Sequence, residues 1–337
     1  MYKISVIVPV YNNEEHIVDC INSVVGQVVF KEMEIIVIND GSTDASRERL
    51  KIFEKFENVT IIDKCNEGSG IARNVGIDAA KGEFLMFVDG DDRLASSDIA
   101  EQLYNAAVEN RVNICSGNLV RLINGRLVDR FEDRRKYLAY SREGMISTRD
   151  FQFPYGHQRY IFRTEYIRGK NIRYTAYKRG QDATFCADAL ANDEKMFHLN
   201  RDVYIYRTSH KKVTFSLLKS TDYMHSFIHI LKLADKMDWA KMAENTVFEM
   251  RVFCIKTMYA QMSKDDWSIV DEANACIDAW NQGHERKLKR LLAYEDFKTR
   301  SFAYWEQYLE VNLCRLRDKI RGKLVYFFYS KPEAAIQ

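Results

Sequence analysis

Four short runs near the start of the chain carry few polar residues: Ile4 to Val10, Glu34 to Ile38, Val59 to Ile62 and Phe84 to Val88. Stretches with helical spacing separate them, at Glu14 to Val25, Ala45 to Phe56 and Ser69 to Ala80. A strand with no polar face needs cover on both sides, and helices that cross over between parallel strands supply it. The alternation therefore predicts an α/β fold, with βαβ units building a parallel sheet covered by helices on both faces. Ligands of such sheets bind outside the carboxyl ends of the strands. The chain places distinctive residues there: Pro9 and Tyr11 after the first strand, Asp40 after the second, Asp89 and Asp91 after the fourth.

The sharpest of these ends is FLMFVDGDD, residues 84 to 92. A buried strand that stops in Asp89, Asp91 and Asp92 concentrates negative charge at the mouth of the core. A hard divalent cation with oxygen ligands would neutralise it. Taken alone, the D-x-D spacing fits an acidic turn and helix cap equally well. DGSTD, residues 40 to 44, sends Asp40 into the crevice, either to accept the imide hydrogen of a uracil or thymine ring or to cap. Ser42, Thr43 or Asp44 stands ready to cap the next helix. NEGSGIARNVGI, residues 66 to 77, has glycines that let a ligand approach the backbone. Arg73 follows, suited to a diphosphate or base carbonyl, or else to a solvated helix face.

At 337 residues the chain exceeds a typical single domain, and its 46% apolar content supports a sizeable core. A net charge of +2 gives no general attraction to nucleic acid. Seven cysteines, widely spaced and without a C-x-x-C pair, argue against a zinc site or disulfide framework and fit a reducing, cytoplasmic setting. The N-terminal stretch does not read as a signal peptide, and no window approaches a membrane span. After Asp92, Leu94 to Glu109 reads as a helix capped by Ser96 or Ser97. Alternation around Asn124-Gly125 in residues 118 to 131 predicts a hairpin, and residues 132 to 157 read as loops over the site. Past residue 217 the β signal stops. All four tryptophans lie beyond residue 238 and no proline falls between Pro154 and Pro332, which predicts a helical C-terminal domain over 217–337.

Taken in order, VIVPVYNNE, VINDGSTD, GSGIARNVGI and FLMFVDGDD closely resemble the family 2 glycosyltransferases of the GT-A fold. The resemblance covers residues 3 to 100 strongly and 155 to 216 more weakly. It implies a mixed, mainly parallel sheet flanked by helices. It implies that residues 1–216 form the transferase domain, with 1–100 binding the nucleotide and 101–216 carrying the acceptor and catalytic parts. It also implies that Pro9 and Tyr11 line the nucleoside pocket, Asp40 reads the base and Arg73 supports the nucleotide. Asp89 would lie near the ribose, and Asp91 would hold Mn²⁺ or Mg²⁺ against the diphosphate. Inversion by single displacement needs a carboxylate to take the acceptor's proton. Family members supply it from a Glu-Asp pair opening a helix, followed by an aromatic residue. Here the segment reads Gly180-Gln181-Asp182-Ala183-Thr184-Phe185, so Asp182 matches and Gln181 replaces the glutamate. Asp133 or Glu143 is the next candidate. His157 stands where many members carry tryptophan. In VYIYRTSHKKVTFS, residues 203 to 216, Arg207, His210 and Lys211 are candidates to neutralise the departing nucleotide, and His210 alternatively completes the metal shell.

Near the end, Leu313, Leu316, Ile320, Leu324 and Phe327 fall on one helical stripe, with five basic residues and one acidic residue over 315 to 323. Such a helix suits an in-plane membrane contact at the inner face of a membrane, a second subunit, or its own core. The combined expectation is an inverting, metal-dependent transferase moving a sugar from a nucleotide donor, a UDP-sugar first, to a saccharide or lipid-linked saccharide in surface polysaccharide synthesis. Two other classes share parts of this pattern. A sugar nucleotidyltransferase usually shows a glycine-rich loop with a lysine near the N-terminus, which VIVPVYNNE lacks. A non-catalytic sugar-nucleotide-binding protein would not need Asp182.

Overall fold

The computed structural model describes residues 2–123, 126–128, 142–207, 216–313 and 316. The four apolar runs become β1 (Ile4–Val10), β2 (Met33–Asp40), β3 (Val59–Lys64) and β4 (Phe84–Phe87), parallel neighbours in the order β3-β2-β1-β4. Every residue of β1 and β2 is buried, in keeping with their largely apolar pattern, and the buried Ser5 hydroxyl donates to Glu34 across the two strands. The connecting helices are α1 (Ile17–Val25), α2 (Ser46–Leu50) and α3 (Ser69–Ala79). The second is shorter than its spacing predicts, because the chain tightens into a 3₁₀ turn at Lys51–Phe53. The chain steps outward from β1 to β2 to β3 and then returns to the other side of β1 with β4. The carboxyl ends of β1 and β4 therefore flank the topological switch point, where a crevice opens.

Beyond β4 the chain forms β5 (Arg93–Leu94), α4 (Ile99–Glu109), β6 (Ile114–Ile123), β7 (Arg126–Val128), β8 (Gly144–Ser147), α5 (Thr148–Phe151), β9 (Tyr160–Arg163), α6 (Thr164–Gly169), α7 (Gln181–Ala191) and β10 (Lys195–Arg207). The sheet continues past β4 as β9, β6, β10 and β5, with β9 antiparallel to β4 and β10 parallel to β6. The predicted hairpin is present, since Ile123 pairs with Arg126 in the antiparallel β6–β7 ladder. The helix expected from Leu94 starts only at Ile99. Leu94 pairs with Tyr204 in a short edge strand, and Asp98 rather than a serine occupies the N-cap. Residues 144–151, expected as loop over the site, form β8 and α5. The strand β8 pairs with the start of β10, His198 opposite Gly144, away from the crevice.

After Ser216, whose hydroxyl accepts the Lys219 amide, come α8 (Leu217–Met237), α9 (Ala240–Phe253), α10 (Ser268–Gly283), α11 (Tyr294–Thr299) and a helical stretch over 302–313. Met224, Phe227, Met250 and Trp280 join Phe185 and Leu190 in one continuous hydrophobic core with the sheet. Contact between α8 and the start of α7 is close. Gly180 adopts φ +87°, a Cβ there would lie 2.6 Å from Cβ of Ser226, and the Ser226 hydroxyl donates to the Gly180 carbonyl at 2.9 Å. Among the described residues no helix is long and apolar enough to cross a membrane. Of the predicted terminal stripe, Leu313 and Leu316 are exposed. Ile320, Leu324 and Phe327 lie outside the described residues.

Candidate active site

The acidic turn is built by backbone before it is charged. The Val88 amide still donates to Ile7, the Asp92 amide returns to the Asp89 carbonyl at 2.9 Å, and Gly90 lies where a Cβ would come within 3.1 Å of Asn13 Oδ1 and 3.2 Å of the Pro9 carbonyl. The carboxylates then divide the work. Buried Asp92 accepts the Tyr204 hydroxyl at 3.0 Å and the Arg207 amide at 2.7 Å, tying the turn to the end of β10. The same Tyr204 oxygen accepts the Asp89 amide at 3.0 Å. Asp89 accepts Nη2 of Arg73 at 2.5 Å and Nε2 of Gln158 at 2.9 Å. Asp91 is half-buried, and one oxygen from each of the three carboxylates lies within 4.8 Å of the others. Their field reaches the buried Cys20 thiol, whose pKa is raised by burial first and then by Asp92, Asp91 and Asp89. Three hard oxygen donors, two of them oriented by named second partners, fit a divalent cation such as Mn²⁺ or Mg²⁺.

Arg73 is brought in by α3. Burial is the largest influence and works against its charge, but Asp89, Tyr174 and Asp182 together raise its pKa. Its guanidinium carbon lies 5.2 Å from the centre of the Tyr174 ring. Asp40 sits at the end of β2, almost wholly buried. Its carboxylate accepts Lys64 Nζ at 2.8 Å and the amides of Glu67 at 3.0 Å and Gly68 at 2.8 Å. In this arrangement Asp40 fixes the glycine-bearing loop ahead of α3. Ser42, Thr43 and Asp44 mainly lace the loops after β1 and β2 together. Ser42 and Asp44 accept the amides of Asn12 and Glu14, and the Thr43 amide donates to Asn12. Asp44 also takes the Ser46 amide at the start of α2. Pro9 is buried beside Gly90, and Tyr11 is half exposed at the rim.

Asp182 arrives from far along the chain, in the first turn of α7, with its side chain 37% exposed. Its carboxylate lies 3.9 Å from Nδ1 of His157, and its charge is felt by Arg73. Gln181, in place of the family glutamate, donates to Ser69 Oγ at 2.9 Å and packs α7 against the start of α3. Beneath them Tyr174 stacks on Phe185 with centroids 4.1 Å apart, and Phe87 meets both rings edge-on. Glu143 is not part of this group. It accepts the Asn200 amide at 3.4 Å, and residue 200 is about 23 Å along β10 from residue 207 at ~3.3 Å per residue. Arg207 brings its backbone to the acidic turn, but its guanidinium points to α1, pairing with Asp19 and, at 3.3 Å, with His16. His210, Lys211 and Asp133 lie outside the described residues. No local pattern in the sequence marks Gln158, and for Tyr204 the alternation Val203-Tyr204-Ile205-Tyr206 is the signal available.

A parallel half-sheet, a mixed second half, an acidic turn at the switch point and a carboxylate delivered by a later helix define an α/β domain of the GT-A class. Residues 5–169 match the profile of glycosyl transferase family 2, so the chain carries a domain of that family. It is 29% identical over 239 residues to glycosyltransferase GlyA of Streptococcus pneumoniae, covering 67% of this chain and 33% of that protein. Over 199 residues it is 34% identical to poly(ribitol-phosphate) beta-glucosyltransferase of Bacillus spizizenii, covering 58% and 30% respectively. The chain thus spans about a third of the length of these two relatives. The fold is similar to residues 1–349 of Staphylococcus aureus TarS solved in complex with UDP-GlcNAc, with a TM-score of 0.61 at 19% identity over 89% of this chain and 93% of that one.

Proposed function

We propose that the protein is an inverting glycosyltransferase that moves a hexosyl or N-acetylhexosaminyl group from a UDP-sugar to a saccharide or lipid-linked saccharide in surface polysaccharide synthesis. The observation that carries this reading is the meeting of Asp182 with the Arg73–Asp89 pair. It provides a candidate proton acceptor on one side of the crevice and an acidic, cation-suited turn on the other. Asp91, with Asp89 and Asp92 beside it, would hold Mn²⁺ or Mg²⁺, which when bound supplies charge to offset that developing on the diphosphate. Pro9, Tyr11 and Asp40 line the nucleoside side, with Asp40 acting through the loop it fixes as well as on the base. Arg73 orients Asp89. Asp182 accepts the proton of the acceptor hydroxyl as its oxygen bonds to the anomeric carbon and the bond to the β-phosphate oxygen breaks. The nucleotide leaves from the opposite face, and Lys211, His210 and a rotated Arg207 are the cations available to receive it. In this scheme residues 217–337 would be the C-terminal domain, and the exposed apolar stripe on its last described helical residues would hold the enzyme at a membrane surface.

The kinship to named transferases and the likeness to a UDP-GlcNAc-bound fold support the donor class. The test is a thermal-shift screen of UDP-glucose and UDP-N-acetylglucosamine with and without Mn²⁺, followed by UDP-release assays, since a ligand that binds only the folded state raises Tm. Asp91→Ala should lose the Mn²⁺-dependent part of the shift. Asp182→Asn should keep it and lose about 10²–10⁴ in turnover, the share general-base catalysis supplies. A parent protein that binds donor yet releases no UDP under any of these conditions would favour the binding-protein reading.

A further inference from the structure

His157 occupies an unusual place for a polar side chain. It begins a 3₁₀ turn ahead of β9, is 1% exposed, and neither ring nitrogen has a hydrogen-bond partner. A buried polar group left unpaired is costly, so such a group calls for an account. The only Lys, Arg or His nitrogen among the described residues within 4.0 Å of the Asp182 carboxylate is Nδ1 of this ring, at 3.9 Å. No described hydrogen-bond donor reaches that carboxylate.

The two partners differ in freedom. Phe87 at 5.9 Å and Tyr174 at 5.7 Å hold the imidazole edge-on between their rings. Asp182 sits on the first turn of α7 with its side chain partly in solvent, so a side-chain rotation of the aspartate is the simpler way to close the gap. Burial first, and then the Arg73 charge, push the His157 pKa down to about 4, against the smaller pull of Asp89 and Asp182. The ring is therefore neutral near pH 7 and carries a single N–H, which belongs on the nitrogen facing the carboxylate. So weak a base, fully enclosed, does not itself take a proton from an acceptor. The next residue, Gln158, already holds Asp89.

We infer that His157 is a positioning residue for Asp182: its Nδ1–H holds one carboxylate oxygen so that the other faces the acceptor hydroxyl. With Gln158 on Asp89, neighbouring residues of one 3₁₀ turn then set both the acceptor-side and the donor-side carboxylate. This inference rests on the reading of Asp182 as the base, and the experiment separates the two.

UDP release from UDP-glucose or UDP-N-acetylglucosamine with Mn²⁺ is measured on the full chain for His157→Phe, His157→Asn, Asp182→Asn and the double variant. Phenylalanine keeps the aromatic packing and removes the donor, whereas asparagine keeps an N–H near the position of Nδ1. The expected result is a fall in kcat of about ten- to a hundredfold for His157→Phe, the range a hydrogen bond to a charged group supplies. UDP affinity should stay unchanged, His157→Asn should recover most of the rate, and His157→Phe should have no further effect on top of Asp182→Asn. The inference is overturned if His157→Phe turns over at the parent rate, if His157→Asn is equally slow, or if the phenylalanine effect persists in full in the Asp182→Asn background. A parent-like rate for Asp182→Asn alone overturns the base assignment beneath it. Thermal melting checks each variant, and His157→Leu takes the place of the phenylalanine variant if that one melts early.

Discussion

Tyr204 shows how one hydroxyl shapes a charged site. Its oxygen donates to Asp92 and accepts from the Asp89 amide, so the acidic turn after β4 is held from β10, more than a hundred positions away in sequence. Burial first, then Asp92 and Asp89, raise its pKa well above the ordinary phenol value, so it stays protonated and can donate. Tyr204→Phe removes both bonds, the one to the buried Asp92 carboxylate and the one from the Asp89 amide. The expected loss is about 1–3 kcal/mol in all, read from urea unfolding, together with weaker Mn²⁺-dependent UDP binding. An unfolding midpoint equal to the parent's would show that the turn holds its shape without this tie. Tyr204 also marks a limit of legibility. Asp89, Asp91, Arg73 and Asp182 stand out because each sits in a local pattern of strand end, glycine loop or helix start. Tyr204 and Gln158 matter only through contacts that cross the sheet, and nothing adjacent in sequence announces them.

At the scale of elements, legibility follows burial. The strands β1 and β2 are covered on both faces, so their apolar runs have no competing reading. The strand β8 has four residues, with Met145 exposed and Ile146 half-buried, too short a pattern to distinguish from loop, and its neighbour α5 is one turn long. Helix α3 illustrates why a helix that scores poorly by propensity still forms. Gly76 lets it close on β1, because a Cβ there would lie 2.4 Å from Cγ2 of Ile7 and 3.2 Å from Cδ1 of Ile38. Gly76→Ala gains up to about 1 kcal/mol in helix propensity but overpacks this interface at a cost of about 1–3 kcal/mol, so net destabilisation is expected. The same change at Gly169, at the end of α6, meets nothing within 4 Å and serves as the control. Thermal melting of the two variants decides the matter: equal Tm values would mean that α3 can lift from the sheet without penalty. Since α3 carries Arg73, a lifted helix should also weaken UDP binding.

For the molecule as a whole, the open question is what meets the last helical stretch. Phe302, Trp305, Leu309, Leu313 and Leu316 are each 48–85% exposed and recur at steps of three and four, an apolar stripe at helical spacing. A stripe of this length is unusual on a surface that meets only water. In sequence it runs on through Ile320, Leu324 and Phe327, flanked by Arg315, Arg317, Lys319, Arg321 and Lys323 against a single Asp318. That charge bias favours an anionic lipid surface over a second copy of the chain, because two such basic segments would repel each other. Each basic residue near an anionic leaflet contributes about 1 kcal/mol, an attraction that salt screens within a Debye length. The full chain should therefore sediment with phosphatidylglycerol vesicles but not with phosphatidylcholine vesicles, and should release at high salt. The double variant Trp305→Glu, Leu309→Glu should bind them less while UDP release from a soluble donor stays at the parent rate, since neither residue is among those that build the acidic turn or hold Asp182. Failure to bind anionic vesicles, with a concentration-dependent dimer abolished by the same double variant, would assign the stripe to self-association instead. In the lipid case, the stripe would hold the enzyme at the surface where a lipid-linked acceptor of the proposed reaction would reside.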